Sequence, residues 1–369
     1  MESLEMTLQK FYKNKKILIT GHTGFKGAWL SNILHLWGAD VVGIALPPPT
    51  KPSLFEALNI QNKLKNHFVD IRDFKKIREI LDTEKPKIVF HLAAQPLVRD
   101  SYVDPLSTIS TNVLGTANIL QAIKEVGSIK SAVIITTDKV YENKEWLHPY
   151  REIDPLGGYD PYSASKSAAD IIANCYSQSF FNPNQYQKQR STLIAIARAG
   201  NVIGGGDWAK DRLVPDIIRS IFSGNEDIII RNPHAIRPWQ HVLEPLLGYL
   251  ILAKKLYEGD TTFVGPWNFG PEPDNFITVE KLVTTAINIL GQGNLKIIPD
   301  NSKHEANILK LDINKAKTLL NWKPTLDINT TLSLTFEWYK TYYQNPELIT
   351  ELTKNQVELF FKTYEQNPN

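Results

Sequence analysis

Over the first 200 positions the chain switches repeatedly between two hydrophobic patterns. Short runs are apolar at nearly every position: KKILIT (15–20), VVGIAL (41–46), HFVDI (67–71), KIVFHLAA (87–94), SAVIITT (131–137) and STLIAIARAG (191–200). Such runs predict buried strands. Between them, apolar residues recur at helical spacing: Trp29, Ile33, Leu34 and Trp37 repeat until Gly38 stops them. Pro47-Pro48-Pro49 ends the second run, because proline fixes φ and removes a backbone donor. Further helices are predicted over 73–83, 106–126 and 163–180. Strands apolar on both faces and alternating with helices predict an α/β fold, a doubly wound parallel sheet covered on both sides.

After residue 200 the rhythm breaks into loops rich in Gly, Pro, Trp and Asn (GGGDW, RNPHAIRPWQH, GPWNFGPEPDN), separated by helices at 240–257 and 278–291. Residues 14–200 are read as one domain, to which helix 240–257 returns. Residues 201–239 and 264–345 form a smaller, loop-rich C-terminal lobe that takes the substrate, and 346–369 a helical tail. A length of 369 residues with 42% hydrophobic and 22% charged residues supports a large core. A formal net charge of +2 argues against a protein that coats nucleic acid. The single cysteine, Cys175, forms no internal disulfide and no thiolate metal cluster, and the eight histidines are scattered without ligand spacing, so no metal is expected. MESLEMTLQKFYKNKK has no apolar core of signal-peptide type and no run is long enough for a membrane span, so a cytoplasmic location is expected.

Gly21-His22-Thr23-Gly24-Phe25-Lys26-Gly27 joins the first strand to the first helix. Glycines at this spacing let the chain turn sharply, approach a pyrophosphate and pack helix on strand, with the phosphates at the positive end of the helix. The turn predicts a Rossmann-type domain that binds a dinucleotide. His22 is bulkier than the small residues such a turn favours and is expected to cost some affinity. The second strand ends Ala45-Leu46-Pro47 without an acid for the ribose hydroxyls, which leaves NAD and NADP both open. Lys26 is a candidate for a 2′-phosphate or a solvated helix-start lysine. Asp70 and Ile71 are candidates for the adenine, with capping of helix 73–83 as the plain alternative for Asp70.

Tyr162-Ser163-Ala164-Ser165-Lys166 sets a phenol and an ammonium four residues apart on one helix face. A cation there lowers the phenol pKa, so that it can take a proton from a sugar hydroxyl. With the glycine turn, HLAAQ ending the fourth strand and TTDK ending the fifth, the chain resembles the extended short-chain dehydrogenase/reductase family over residues 14–340. TTDKVYEN (136–143), GNVIGGGDWAKDRLVP (200–215) and RPWQHVLEPLLGYL (237–250) resemble its nucleotide-sugar 4,6-dehydratase branch, with NAD as cofactor and CDP-glucose as substrate. The resemblance implies that Gly21, Thr23, Gly24, Phe25 and Gly27 cradle the pyrophosphate, and Asp70 and Ile71 the adenine. Ala93, Ala94, Gln95 and Thr136 line the cofactor cleft, and Asn112 supports it from behind. Thr137, Tyr162 and Lys166 carry out the oxidation, Lys166 also bonding the nicotinamide ribose. Asn201, Arg237, His304 and Glu305 meet the nucleotide sugar. It further implies a homodimer through helices 106–126 and 163–180, and a product bound for deoxysugars of a bacterial surface polysaccharide such as O-antigen.

The implied reaction oxidises C4, expels water across C5 and C6, and reduces C6. Asp138 and Lys139 are the elimination candidates. In water, moving the proton from lysine to aspartate spans about 6.5 pKa units, or roughly 9 kcal/mol. Desolvation of a buried pair offsets part of this. Lys139 therefore acts either as a neutral base or as a cation stabilising the enolate. A 4-epimerase would need the Thr–Tyr–Lys set without this pair, and a dinucleotide-sensing regulator would need neither.

Overall fold

The computed structural model describes residues 3–188, 191–224, 227–298 and 309–366. Seven strands form one sheet: β1 Lys16–Thr20, β2 Asp40–Ala45, β3 Lys65–Phe68, β4 Ile88–His91, β5 Ser131–Ile135, β6 Leu193–Ala199 and β7 Gly265–Phe269. All pairings are parallel, and the spatial order is β7-β6-β5-β4-β1-β2-β3. Side chains alternate between the faces of a strand. Ile17, Ile19, Phe90, Val133 and Ala195 accordingly join one core with helices Phe25–Leu36 and Leu243–Tyr257. Leu18, Val42, Val89, Ala132 and Ile194 join the other, under helices Phe74–Glu84, Gly115–Val126 and Pro161–Phe180. The strand order reverses between β1 and β4, which opens a crevice at their C-terminal ends, where doubly wound folds take ligands.

Three elements differ from expectation. Gly265–Phe269, assigned from sequence to the second lobe, is the seventh strand, paired with β6 from Gly265↔Ala195 to Phe269↔Ala199. Its Gly and Pro look loop-like, yet an edge strand uses only one side of its backbone and tolerates Pro266. Trp267 and Phe269 are fully buried there. The third strand occupies 65–68 rather than 67–71. It is an edge strand, and the apolar residues Val69 and Ile71 that follow it pack into the core from the turn. The 106–126 region is not one helix: Pro105–Ile109 passes through a π-helical turn, Ser110–Leu114, into Gly115–Val126.

The second lobe carries three two-stranded pairs: Val202–Ile203 with Gln240–His241, Ile236–Pro238 with Phe276–Thr278, and Asp227–Ile230 with Asn294–Ile297. Helices Val279–Leu290 and Ile328–Gln344 pack beside them, and the tail forms the helix Ile349–Gln366. An unpredicted N-terminal helix, Leu4–Tyr12, docks by Tyr12, whose hydroxyl donates to the Leu250 carbonyl at 2.6 Å. Among the described residues, no helix is long and apolar enough to cross a membrane.

Candidate active site

The glycine turn leaves β1 as the spacing predicts. Gly21 has φ +76°, and a Cβ on it would lie 2.7 Å from the Ala93 nitrogen. A Cβ on Gly27 would lie 2.1 Å from the Gly21 carbonyl oxygen, so only glycine allows the helix to close on the strand. Gly24 begins helix Phe25–Leu36 with no side-chain cap. The first-turn N–H groups therefore keep their donors for an anion, and the cradle fits a dinucleotide pyrophosphate. Thr23 spends its hydroxyl on the Leu46 carbonyl at 2.9 Å. The half-buried Phe25 ring lies 3.3 Å from where a Cβ on Gly204 would stand.

A directed hydrogen-bond chain fixes the opposite wall. The Thr116 hydroxyl donates to the Asn112 carbonyl at 2.7 Å, so it must accept from His91 Nε2 at 3.0 Å. His91 Nδ1 is then the acceptor for the Thr20 hydroxyl at 2.7 Å, which itself accepts the Ala93 N–H at 3.2 Å. Burial keeps His91 neutral, with its pKa lowered to about 3. Asn112, in the π-helical turn, accepts the Gln95 N–H at 2.8 Å and donates to the Gln95 carbonyl at 3.1 Å and to Ser165 Oγ at 2.8 Å. One amide thus ties the end of β4 to the tyrosine–lysine helix. The Gln95 side chain folds onto Thr108 and Leu97, and Ala94 is half-buried beside it.

Thr137 follows β5. Its hydroxyl donates to Asp138 Oδ1 at 2.8 Å and it is hydrogen-bonded to Tyr162. Tyr162 lies in the first turn of Pro161–Phe180, a helix capped by Asp160. Burial pushes the phenol up to about 12, while Arg212 and the Thr137 bond pull it down. The sequence expectation that Lys166 lowers this pKa is corrected: Lys166 Nζ donates to the Ile135 carbonyl at 2.8 Å instead. Burial, then the charge of Lys26, lowers Lys166 to about 8.

Asp138 is buried, and its carboxyl lies over Gly200, where a Cβ would come within 2.0 Å of it. Asn201, at φ +51°, donates to Asp138 Oδ2 at 3.4 Å. Lys139, next in the same short turn, is exposed, so it is not one half of a buried ion pair with Asp138. Lys26 is half-buried in the first turn of its helix rather than solvated. It faces Asp138, Arg212 and Lys166, and burial together with Arg212 lowers its pKa to about 8.

Other expected residues are engaged elsewhere. Asp70 is clamped by Arg72, at 2.6 Å from Nη2, which holds its carboxyl below the usual range, and Asp73 caps the following helix. Ile71 is buried, filling the space over Gly115, so its side chain presents no open face to an adenine. Thr136 donates to Asp170 at 3.0 Å and so turns its hydroxyl away from the cleft into the sheet–helix interface. Arg237 lies half-buried on the strand Ile236–Pro238 and donates to the Ile236 carbonyl at 3.1 Å. His304 and Glu305 lie outside the described residues. Sequence reasoning missed Asp170 and Arg198, a buried bidentate pair at 2.7 and 2.8 Å beneath the site. It also missed Arg212, bound to Asp207 at 2.8 Å.

A parallel seven-stranded sheet with a glycine turn at its switch point and threonine, tyrosine and lysine grouped after β5 is the arrangement of the extended short-chain dehydrogenase/reductases. Residues 18–335 match the family model described as GDP-mannose 4,6 dehydratase, and the chain belongs to that family. It is 49% identical over 342 residues to the CDP-glucose 4,6-dehydratase of Salmonella typhimurium, covering 92% of this chain and 95% of that protein. It is 25% identical to a UDP-glucuronate 4-epimerase of Thermodesulfobacterium geofontis, over 91% of this chain and 98% of that one. The fold matches the crystal structure of dTDP-glucose 4,6-dehydratase from Streptomyces venezuelae with NAD and TYD bound. That match has a TM-score of 0.74 and 21% identity, covering 91% of this chain and 99% of that one.

Proposed function

We propose that this protein converts CDP-glucose to CDP-4-keto-6-deoxyglucose and water. The observation that carries the reading is the bond between Thr137 and Asp138. It joins a group suited to oxidation to a carboxyl suited to elimination in one site, and a 4-epimerase has no use for the second. Identity with the Salmonella typhimurium enzyme over nearly the whole chain supports the same substrate. NAD, seated on Gly21, Gly24 and Gly27, supplies reversible hydride transfer when bound.

Tyr162, with Thr137 bonded to it, receives the C4 hydroxyl proton. The C4 ketone acidifies the C5 proton, which passes to water while the exposed Lys139 serves as the cation that stabilises the enolate. Asp138, oriented by Thr137 and Asn201, serves the departing C6 hydroxyl. Asn201 and Arg237, with His304 and Glu305, hold the nucleotide sugar. A second copy of the chain covers the apolar side chains exposed on the flanking helices, Leu106, Ile109, Leu114 and Ile171, to give a homodimer. The reaction belongs in the cytoplasm, in keeping with a chain whose one thiol is unpaired.

The test is incubation of the purified protein with CDP-, dTDP-, GDP- and UDP-glucose in deuterated water, with and without added NAD. CDP-glucose should yield a 4-keto product that absorbs in alkali and carries deuterium at C5. Recovery of the C4 epimer, or turnover only of another nucleotide glucose, would overturn the reading.

A further inference from the structure

The turn that carries Thr137, Asp138 and Lys139 is fastened on both sides into one buried chain of polar groups. Upstream, the Thr136 hydroxyl donates to Asp170 Oδ2 at 3.0 Å. Arg198 holds the same carboxylate, with Nη2 2.7 Å from Oδ1 and Nε 2.8 Å from Oδ2. Its Nη1 donates to the Tyr141 hydroxyl at 2.8 Å, and that hydroxyl donates on to Asn268 Oδ1 at 2.8 Å. Tyr141 is the residue that ends the short turn Asp138–Val140. The polar chain therefore leaves the sequence just before Thr137 and rejoins it just past Lys139 and Val140.

Asn268 comes from β7, where it stands opposite Arg198 in the register with β6, so both side chains meet the phenol from one face of the sheet. Its Nδ2 donates to the Tyr150 carbonyl at 2.9 Å and to the Asp312 carbonyl at 3.1 Å. Asp312 closes the second-lobe segment 309–312, which joins Tyr150 through the bridge Tyr150↔Leu311. Val140, Tyr141 and Tyr150 pack with Leu156, Leu309 and Leu311 in a small apolar cluster, apart from the two cores of the sheet. Tyr162 is supported elsewhere: Asp160 caps its helix, and Ser165 ties that helix to Asn112. The groups for oxidation and for elimination thus rest on different supports.

We propose that Tyr141 and Asn268 are a positioning pair for the elimination, their bond fixing where Asp138 and Lys139 stand and linking that turn to the second-lobe segment 309–312. The inference rests on the reaction proposed above. Loss of the Tyr141 hydroxyl frees the downstream end of the turn, while Thr137 stays attached to β5 and bonded to Tyr162. Asp138 and Lys139 then swing about Thr137, and a misplacement of about 1 Å can cost about 100-fold in rate. In Tyr141→Phe, Arg198 Nη1 keeps the Glu152 carbonyl at 3.1 Å, so the change strands no guanidinium.

The experiment mixes the purified, NAD-loaded protein with CDP-glucose and follows the rise and decay of reduced-nicotinamide absorbance together with product formation. It compares the wild type, Tyr141→Phe, Asn268→Leu, the double variant and Tyr12→Phe. In Tyr141→Phe the absorbance should rise at the wild-type rate, while its decay and product formation slow about tenfold or more. Asn268→Leu should slow the same step. The double variant should be little slower than the slower single one, because the two residues share one bond. Tyr12→Phe removes a buried hydroxyl bond at the N-terminal helix; it should lower the denaturation midpoint yet leave both rates unchanged. Equal slowing of rise and decay in Tyr141→Phe would make the pair a general support of the fold and overturn the proposal. So would an unchanged decay there, additive slowing in the double variant, or the same slow decay in Tyr12→Phe. Should Asn268→Leu fail to fold, Tyr141→Phe against Tyr12→Phe decides. Failure of the wild type to turn over CDP-glucose would refute the proposed reaction instead.

Discussion

His22 fills the room that Gly43 leaves on the neighbouring strand: a Cβ at position 43 would lie 2.4 Å from His22 Cγ. His22 Nε2 meets Asn66 Oδ1 at 2.9 Å, and burial lowers its pKa to about 4. The bulk in the glycine turn is thus directed beneath the turn, and the affinity cost expected from sequence does not arise from a ring standing in the cradle. Gly43→Ala should destabilise the fold by about 1–3 kcal/mol through overpacking. His22→Ala in that background should recover most of the loss in chemical denaturation. Additive losses would show that the two positions do not share the space.

Asp170 and Arg198 are almost wholly enclosed, so removing one partner strands the other charge. Asp170→Ala should cost about 3–5 kcal/mol. It should also free Thr136, whose hydroxyl donates to the same carboxylate. Thermal melting reports the first effect. A loss below about 1 kcal/mol, the range of surface pairs, would contradict the burial argument.

Glu244 accepts the N–H groups of Thr325 and Leu326 on one oxygen, at 2.8 and 2.7 Å, while the other oxygen is buried without a partner. Burial raises its pKa to about 7. The unfolded chain therefore releases this proton at lower pH than the folded one. The group's contribution to stability falls as pH rises from about 4.5 toward 7 and stays lost above it. Glu244→Gln keeps an acceptor for both N–H groups and removes the ionisation. Its stability relative to wild type should improve by about 2.5 kcal/mol between pH 5 and pH 8. A constant difference across that range would show that Glu244 does not titrate there.

Lys139→Ala separates the two elimination models. If Lys139 stabilises the enolate as a cation, turnover should fall about 100-fold, on the scale of a lost charge-stabilising donor. Deuterium should still enter C5. Loss of all C5 labelling would make the lysine the base itself. Labelling and turnover like the wild type would remove it from the elimination.

Five of the seven strands are legible because both faces are buried, which leaves an uninterrupted apolar run, whereas the edge strand Lys65–Phe68 is polar and half-exposed and is displaced from the apolar stretch that follows it. The seventh is not, since Pro266 and its flanking glycines satisfy an edge strand and a loop equally. The glycine turn is legible from spacing alone: a Cβ at Gly21 or Gly27 meets backbone atoms close by. The direction of Lys166 is not, because helix spacing sets its face but not whether Nζ meets Tyr162 or the Ile135 carbonyl. Asp170 repeats the four-residue step past Lys166, and that continuation was a readable signal. Arg212 left none: its aim depends on Asp207, which Tyr339 holds from a helix 132 positions away.

Gly265–Phe269 rejoins the sheet after the chain has left it for the strands and loops of the second lobe. No single cut therefore divides the molecule into two self-sufficient halves. A fragment ending near residue 200 would carry β6 with a bare margin of unpaired N–H and C=O groups, a template for chain-to-chain aggregation. The two lobes mature and fail together, and the protein must be made whole before either can hold its share of the reaction.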